Sequence, residues 1–209
     1  MSSGVAVAAR ATGRARREAQ RLATRERLLE VCVDEFKRTG FARTEIAAIV
    51  EQAQVSRGSF YFHFPTKDDV LAELRLREER RIYTEVSPRL ANGEPLEAVL
   101  NAIVAGILNA EDRLGSDLVR EICAVQFRRS VGDTDSVSNH PVGELALAAL
   151  ASSSATQSTG TTSQELADLA AIFLLGMFAL LSTHSGPSED RDRLIAALVR
   201  LAVNGVSKI

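Results

Sequence analysis

Residues 44–67 read Thr44-Glu45-Ile46-Ala47-Ala48-Ile49-Val50-Glu51-Gln52-Ala53-Gln54-Val55-Ser56-Arg57-Gly58-Ser59-Phe60-Tyr61-Phe62-His63-Phe64-Pro65-Thr66-Lys67. Thr44 is a good N-cap for a helix from about Glu45 to Gln52. Ile46, Ile49, Val50 and Ala53 give that helix an apolar side. After a short turn, Ser56 caps a second helix, about Arg57 to His63, with Ser59 at its third position. Pro65 ends it, because the residue before a proline disfavours the helical region. Two short helices joined by a tight turn make a helix-turn-helix, whose second helix can enter the major groove of DNA. Val55, Phe60 and Phe64 are expected to face the core. Arg57, Gly58, Tyr61 and Phe62 then form the other face at i and i+4 spacing. Gly58 costs a helix about 1 kcal/mol against alanine, which makes sense if its backbone must approach another molecule closely. The competing reading is a plain three-helix packing unit with clustered aromatics.

Upstream, a helix is expected from about Leu22 to Arg38, with Leu29, Cys32, Val33 and Phe36 on one face and Gly40 as its stop. Residues 1–20 are small and arginine-rich (Arg10, Arg14, Arg16, Arg17) and read as a flexible basic tail. It is either a solvated terminus or a DNA-touching arm. Downstream the pattern stays helical. Thr66 caps a helix that runs to about Val86, with Pro88 beyond it and a polar face, Arg75 to Arg81, expected in solvent. Further helices are expected at about 94–111, 117–129, 141–151, 163–183 and 188–206, the first opened by Pro95. Residues 132–139 read as a loop and 152–163 as a flexible Ser/Thr/Gly-rich stretch. No strand pattern and no internal repeat is present, so the fold class is all-α. The sequence divides into the tail (1–20), a helix-turn-helix DNA-binding domain (21–67) and a helical body (68–209).

Charge follows the same division. The 209 residues carry a formal net charge of −2. Residues 1–67 hold twelve Arg or Lys against seven Asp or Glu, net +5, and residues 68–209 hold thirteen against twenty, net −7. A basic front and an acidic back imply that only the front meets a polyanion. Hydrophobic residues make up 45% of the chain, which excludes disorder throughout. The longest apolar run, Leu169 to Leu181, is shorter than the ~20 residues of a membrane span. It reads as a buried helix, with no membrane partner implied. Cys32 and Cys123 fit no metal or disulfide spacing, which points to the cytoplasm.

The pattern Thr24-Arg25-Glu26-Arg27-Leu28-Leu29, then Phe36, Gly40-Phe41, Thr44-Glu45-Ile46, Ile49 and Ala53 to Lys67 resembles the DNA-binding domain of the TetR (tetracycline-repressor-like) family over about residues 20–70. The resemblance implies a homodimeric repressor that binds a palindromic double-stranded DNA operator, with a ligand-binding and dimerisation domain behind the head. It implies phosphate contacts for Ser56, Tyr61, His63 and Lys67, base contacts for Arg57, Ser59 and Phe62, and further backbone contacts for Arg25 and Thr44. Gly58 belongs to the same face. Such roles are chemically reasonable, since hydroxyls, lysine and helix N-termini hold phosphate and arginine can take guanine O6 and N7 together. The sequence departs from the family where Gln54 replaces a common turn glycine; Gln54 is expected in a left-handed conformation, at about 1–2 kcal/mol. Phe62 either meets a thymine methyl or turns back into the core.

The body shows no triad, phosphate loop or metal-ligand spacing. No catalytic group, metal or cofactor is implied. An unknown small, largely apolar effector is expected between its helices, with Ile103, Ile107, Cys123, Phe127, Phe173 and Met177 as candidate lining residues and ordinary core packing as the competing reading of each. Dimerisation is expected through the last two helices, with Leu166, Leu169, Phe173 and Leu180 as one stripe and Leu194, Leu198 and Leu201 as the other. The alternatives are a helical enzyme with a DNA-binding head, a regulator without an inducer, and a weakly specific nucleoid-type binder.

Overall fold

The computed structural model describes residues 2–130, 140–153, 161–184 and 186–206, and among these it contains nine helices and no strand. They are α1 (Ser2–Thr39), α2 (Ile46–Gln52), α3 (Arg57–His63), α4 (Lys67–Ala91), α5 (Leu96–Leu114), α6 (Ser116–Ser130), α7 (Pro141–Ser152), α8 (Ser163–Thr183) and α9 (Glu189–Val206). The chain forms two compact units, Met1–Val70 and Leu71–Ile209. The expected loop at 132–139 and most of the expected flexible stretch at 152–163 lie outside the described residues.

In the first unit, α1 begins at Ser2, well before the expected start at Leu22. Residues 2–20 therefore do not form an irregular tail. They are rich in Ala and Arg and contain no proline, a composition that favours helix. Leu28, Leu29, Cys32 and Phe36 bury one face of α1, and α2 packs against it. Thr44 is not the N-cap of α2. Glu45 takes that position without a side-chain cap, while Thr44 is buried and its hydroxyl donates to the Gly40 carbonyl at 2.9 Å. At the other end of α2, Gln54 N donates to Glu51 O and Val55 N to Val50 O. This is a Schellman ending, and it puts Gln54 at φ +52, the only non-glycine with positive φ among the described residues.

In the second unit, α8 is the helix on which α6, α7 and α9 all pack. By length and composition α8 could cross a membrane, and a third of its apolar window is buried against its neighbours. A Cβ on Gly176 of α8 would stand 2.8 Å from Leu198 Cδ1 of α9, and one on Gly205 of α9 would stand 3.1 Å from Leu169 Cδ2. These glycines let the two helices approach closely. Leu169 and Leu198 thus pack within one chain, and Leu166 and Phe173 are buried. What the expected dimer stripes leave exposed is Leu194 and Leu201, and Ile172 of α8 is exposed as well.

The helix ends show where local signals acted. Thr66 and Asp69 cap α4 reciprocally, with Asp69 N donating to Thr66 Oγ1 at 3.2 Å and Thr66 N to Asp69 Oδ2 at 2.9 Å. Pro88 does not stop α4, which continues to Ala91. The stop is Gly93, at φ +73, where Glu94 N donates to Arg89 O and Gly93 N to Leu90 O. Thr162, one residue before the expected Ser163, caps α8 in a capping box with Glu165. Ser188 caps α9 by accepting from Arg191 N at 3.2 Å. One charged pair lies inside the second unit. Arg191 Nη1 of α9 donates to Glu111 Oε2 of α5 at 2.6 Å, with both side chains almost fully buried. Ser116 Oγ donates to the other Glu111 oxygen at 2.8 Å.

Candidate nucleic-acid interface and body cavity

Helix α3 is set by Ser56, whose hydroxyl accepts from Ser59 N at 3.0 Å. This cap fixes the helix phase. Phe60 and Phe64 are fully buried, so the rotation of α3 leaves Ser56, Arg57, Gly58, Tyr61 and Phe62 exposed and Ser59 half-exposed. Phe62 does not turn into the core; it is 70% exposed. Its ring stands edge-on to that of His63 at 5.1 Å. Tyr61 rests edge-on against Phe60 at 5.6 Å, its outer side in solvent. The face of α3 thus presents a guanidinium, two hydroxyl-bearing serines, a bare backbone position and two aromatic rings. That set can read base edges and hold phosphate.

Four other residues expected at the interface hold the first unit together. Arg25 Nη1 donates to the His63 carbonyl at 2.6 Å, and its guanidinium lies 4.4 Å from the Phe64 ring centroid. Lys67 Nζ donates to the carbonyls of Phe41 and Thr44, each at 2.9 Å, and tethers the start of α4 to the turn before α2. Thr44 is buried, as described above. His63 is buried too, and desolvation, with Arg25 and Arg21 nearby, holds its imidazole below the ordinary value. Ser56, Arg57, Gly58, Ser59, Tyr61 and Phe62 are thus gathered on one outward face, while Arg25, Thr44 and Lys67 bond inward and His63 is buried with its Nδ1 unpartnered among the described residues.

The sequence model of the family described as bacterial regulatory proteins, tetR family, matches residues 28–74, a span that contains the whole helix-turn-helix. Over residues 28–74 the chain is thus similar to the TetR family. The probable acrEF/envCD operon repressor of Escherichia coli (strain K12) is 27% identical over 94 residues, 44% of this chain and 43% of that protein. The HTH-type transcriptional regulator AcrR of Shigella flexneri is 31% identical over 93 residues, 42% of this chain and 41% of that one. The chain thus matches these curated relatives over less than half of their length. In fold, the chain is similar to Thermus thermophilus FadR, a TetR-family repressor solved in complex with lauroyl-CoA. The TM-score is 0.65 and the identity 22%, covering 87% of this chain and 94% of that one. A TetR-like regulator from Rhodococcus sp. RHA1 matches at TM-score 0.54 and 23% identity, over 89% and 97% of the two chains.

The second unit holds a cavity of about 70 Å³. Ile107 and Cys123 line it, together with Ile82, Leu114, Ile122 and Phe178. Ile103, Phe173 and Met177 do not; each points into the packed core and is fully or almost fully buried. Phe127 lies partly exposed at the surface. On α8 the lining residues Leu174 and Phe178 stand one residue on from Phe173 and Met177, about 100° around the helix. Burial pushes the Cys123 thiol up to about 11 and the Cys32 thiol to about 12, so both stay protonated at neutral pH. The cavity also has a polar strip, Arg75, Glu78, Glu79, Gln126 and His140, of which Arg75, Glu78 and Glu79 were expected in solvent. Arg75 Nη1 donates to Glu79 Oε1 at 2.7 Å, and Arg75 Nη2 meets His140 Nε2 at 2.8 Å. Burial raises the Glu79 carboxyl above its ordinary value, against the pull of Arg75. Burial, then Arg75, lowers His140. A signal for the buried acid was present in the sequence. Glu78 stands four residues after Leu74 and four before Ile82, inside the apolar stripe of α4.

Proposed function

We propose that this chain is a transcriptional repressor that binds a pseudo-palindromic operator as a homodimer and is released by a small ligand held in the second unit. The observation that carries the DNA-binding part is the exposed face of α3, with Arg57, Gly58, Tyr61 and Phe62 outward and Phe60 inward. In a dimer two such helices would enter successive major grooves about 34–36 Å apart, or a multiple of that. Ser56 and Tyr61 would hold phosphate, and Arg57, Ser59 and Phe62 would read bases. Arg25, Thr44, His63 and Lys67 would contribute by holding α3 and the α2 N-terminus in place, with a phosphate contact open to Lys67 at the edge of the head. A cavity in the body, and the lauroyl-CoA bound by a protein of the same fold, support ligand release. A coupling of about 1–3 kcal/mol between the two sites would weaken operator binding roughly 5–150-fold.

Arg57→Ala is the test. Operator selection with the purified full chain should yield a palindromic site, and Arg57→Ala should relax one position per half-site at a cost of about 1–3 kcal/mol. An unchanged base preference in the variant would make Arg57 a phosphate contact and reassign the groove face. Dimerisation is tested separately. Leu201 is 68% exposed on α9 and Ile172 is 61% exposed on α8, and both have the apolar character of a helix-pair interface. Sedimentation at micromolar concentration should show a dimer, and Leu201→Glu should shift it to monomer. A wild-type chain that sediments only as monomer would sink the dimer.

A further inference from the structure

Both acids at the cavity face guanidiniums, Glu78 those of Arg113 and Arg81 and Glu79 that of Arg75, and one buried carboxylate oxygen is left over among the described residues. Glu78 Oε2 accepts from Arg113 Nη2 at 2.5 Å. Glu79 Oε1 accepts from Arg75 Nη1 at 2.7 Å. Glu79 Oε2 is buried and takes no hydrogen bond among the described residues, in a residue only 7% exposed. A buried acceptor without a donor is costly and uncommon. The other walls near it are mostly aliphatic: Ile82, Ile107, Ala110, Leu114, Val119 and Leu174.

On the reading of the second unit as an effector domain, we infer that the cavity takes a small, neutral, largely apolar alcohol whose hydroxyl donates to Glu79 Oε2. Three observations select that class. The orphaned atom is an acceptor, so the ligand must bring a donor. Both carboxylates already face a guanidinium, and His140 is held toward its neutral form by burial and by Arg75. A charged ligand would therefore add an unmatched charge to an apolar enclosure. The volume, about 70 Å³, has room for roughly five to seven water-sized groups.

Calorimetric titration of the full chain with four probes of one shape tests this: cyclohexanol, methylcyclohexane, cyclohexylamine and cyclohexanecarboxylate. Cyclohexanol should bind about tenfold more tightly than each of the others, the worth of one hydrogen bond. Glu79→Gln supplies the second measurement. Its amide carbonyl can keep facing Arg75 while its N–H groups face the cavity. The variant's preference for cyclohexanol over the acceptor-only cyclohexanone should then fall about tenfold or reverse. Equal binding of cyclohexanol and methylcyclohexane, tighter binding of the amine or the acid, no binding of any probe, or a preference unmoved by Glu79→Gln would each overturn the inference. Operator affinity is measured in parallel to separate it from the regulatory reading. Glu79-dependent binding of cyclohexanol that leaves operator affinity unchanged would uphold the site and remove its effector role. Release of the operator by a ligand indifferent to Glu79→Gln would uphold the effector role and remove this site.

Discussion

Glu111→Ala is expected to lower the unfolding free energy of the second unit by about 3–5 kcal/mol, the usual cost of leaving one partner of a buried ion pair alone. The pair joins α5 to α9 across 80 positions of sequence, with Arg191 Nη1 at 2.6 Å from Glu111 Oε2. Both side chains are almost dry, so the abandoned guanidinium cannot reach bulk water without moving α9. The pair is also incompletely satisfied, because Arg191 Nε has no hydrogen-bond partner among the described residues. Desolvation is therefore not fully offset in the native state. The double variant Glu111→Leu with Arg191→Met should recover most of the loss, and can exceed wild type, since apolar replacement of a buried pair is often neutral or stabilising by about 1–4 kcal/mol. Urea unfolding followed by circular dichroism measures both. A single variant within about 1 kcal/mol of wild type would show that the guanidinium finds another acceptor when Glu111 is gone.

The same pair shows how far the sequence could be read. Arg191 stands four residues before Ile195 and eight before Val199, and all three are buried. Glu111 follows Ile107 by four and precedes Leu114 by three on the buried face of α5. A charged residue inside an apolar stripe signals a buried ion, and both positions carried that signal. Which cation meets which anion depends on how α5 and α9 cross, and periodicity along one helix holds no information about another. The polar strip of the cavity is the same case. Glu78 was detectable as an acid on the Leu74–Ile82 face, but its meeting with Arg113, and that of Arg75 with His140, are long-range contacts. Local signals did better. The α3 boundaries, the Ser56 and Thr66 caps and the left-handed Gln54 are all decided within about five residues, and the structure has each of them. Pro88 misled because a proline forbids its own N–H bond but leaves the helix free to run one more turn to a Gly93 ending.

Phe60→Ala and Phe62→Ala, neighbours but one on α3, should behave oppositely. Phe60 is fully buried, edge-on to Tyr61 and 6.0 Å from the Phe64 ring. Truncating it removes the anchor that sets the rotation of α3 and leaves a cavity, at about 3–5 kcal/mol. The first unit is small, so a loss of that size is comparable with its whole stability. Operator binding should vanish for every sequence while the second unit stays folded and still binds ligand. Phe62 is 70% exposed, and its truncation should change stability by no more than about 0.5 kcal/mol. Its effect should fall on DNA alone, as a lost preference for thymine over uracil at one base pair per half-site, because the base edges there differ by the methyl group an apolar ring can touch. Thermal unfolding of each variant, together with binding to thymine- and uracil-substituted operators, separates the two. If Phe62→Ala lowers stability as Phe60→Ala does, its ring packs on the head and does not serve the groove. If it changes neither stability nor the thymine preference, the bases are read by Arg57 and Ser59 without it.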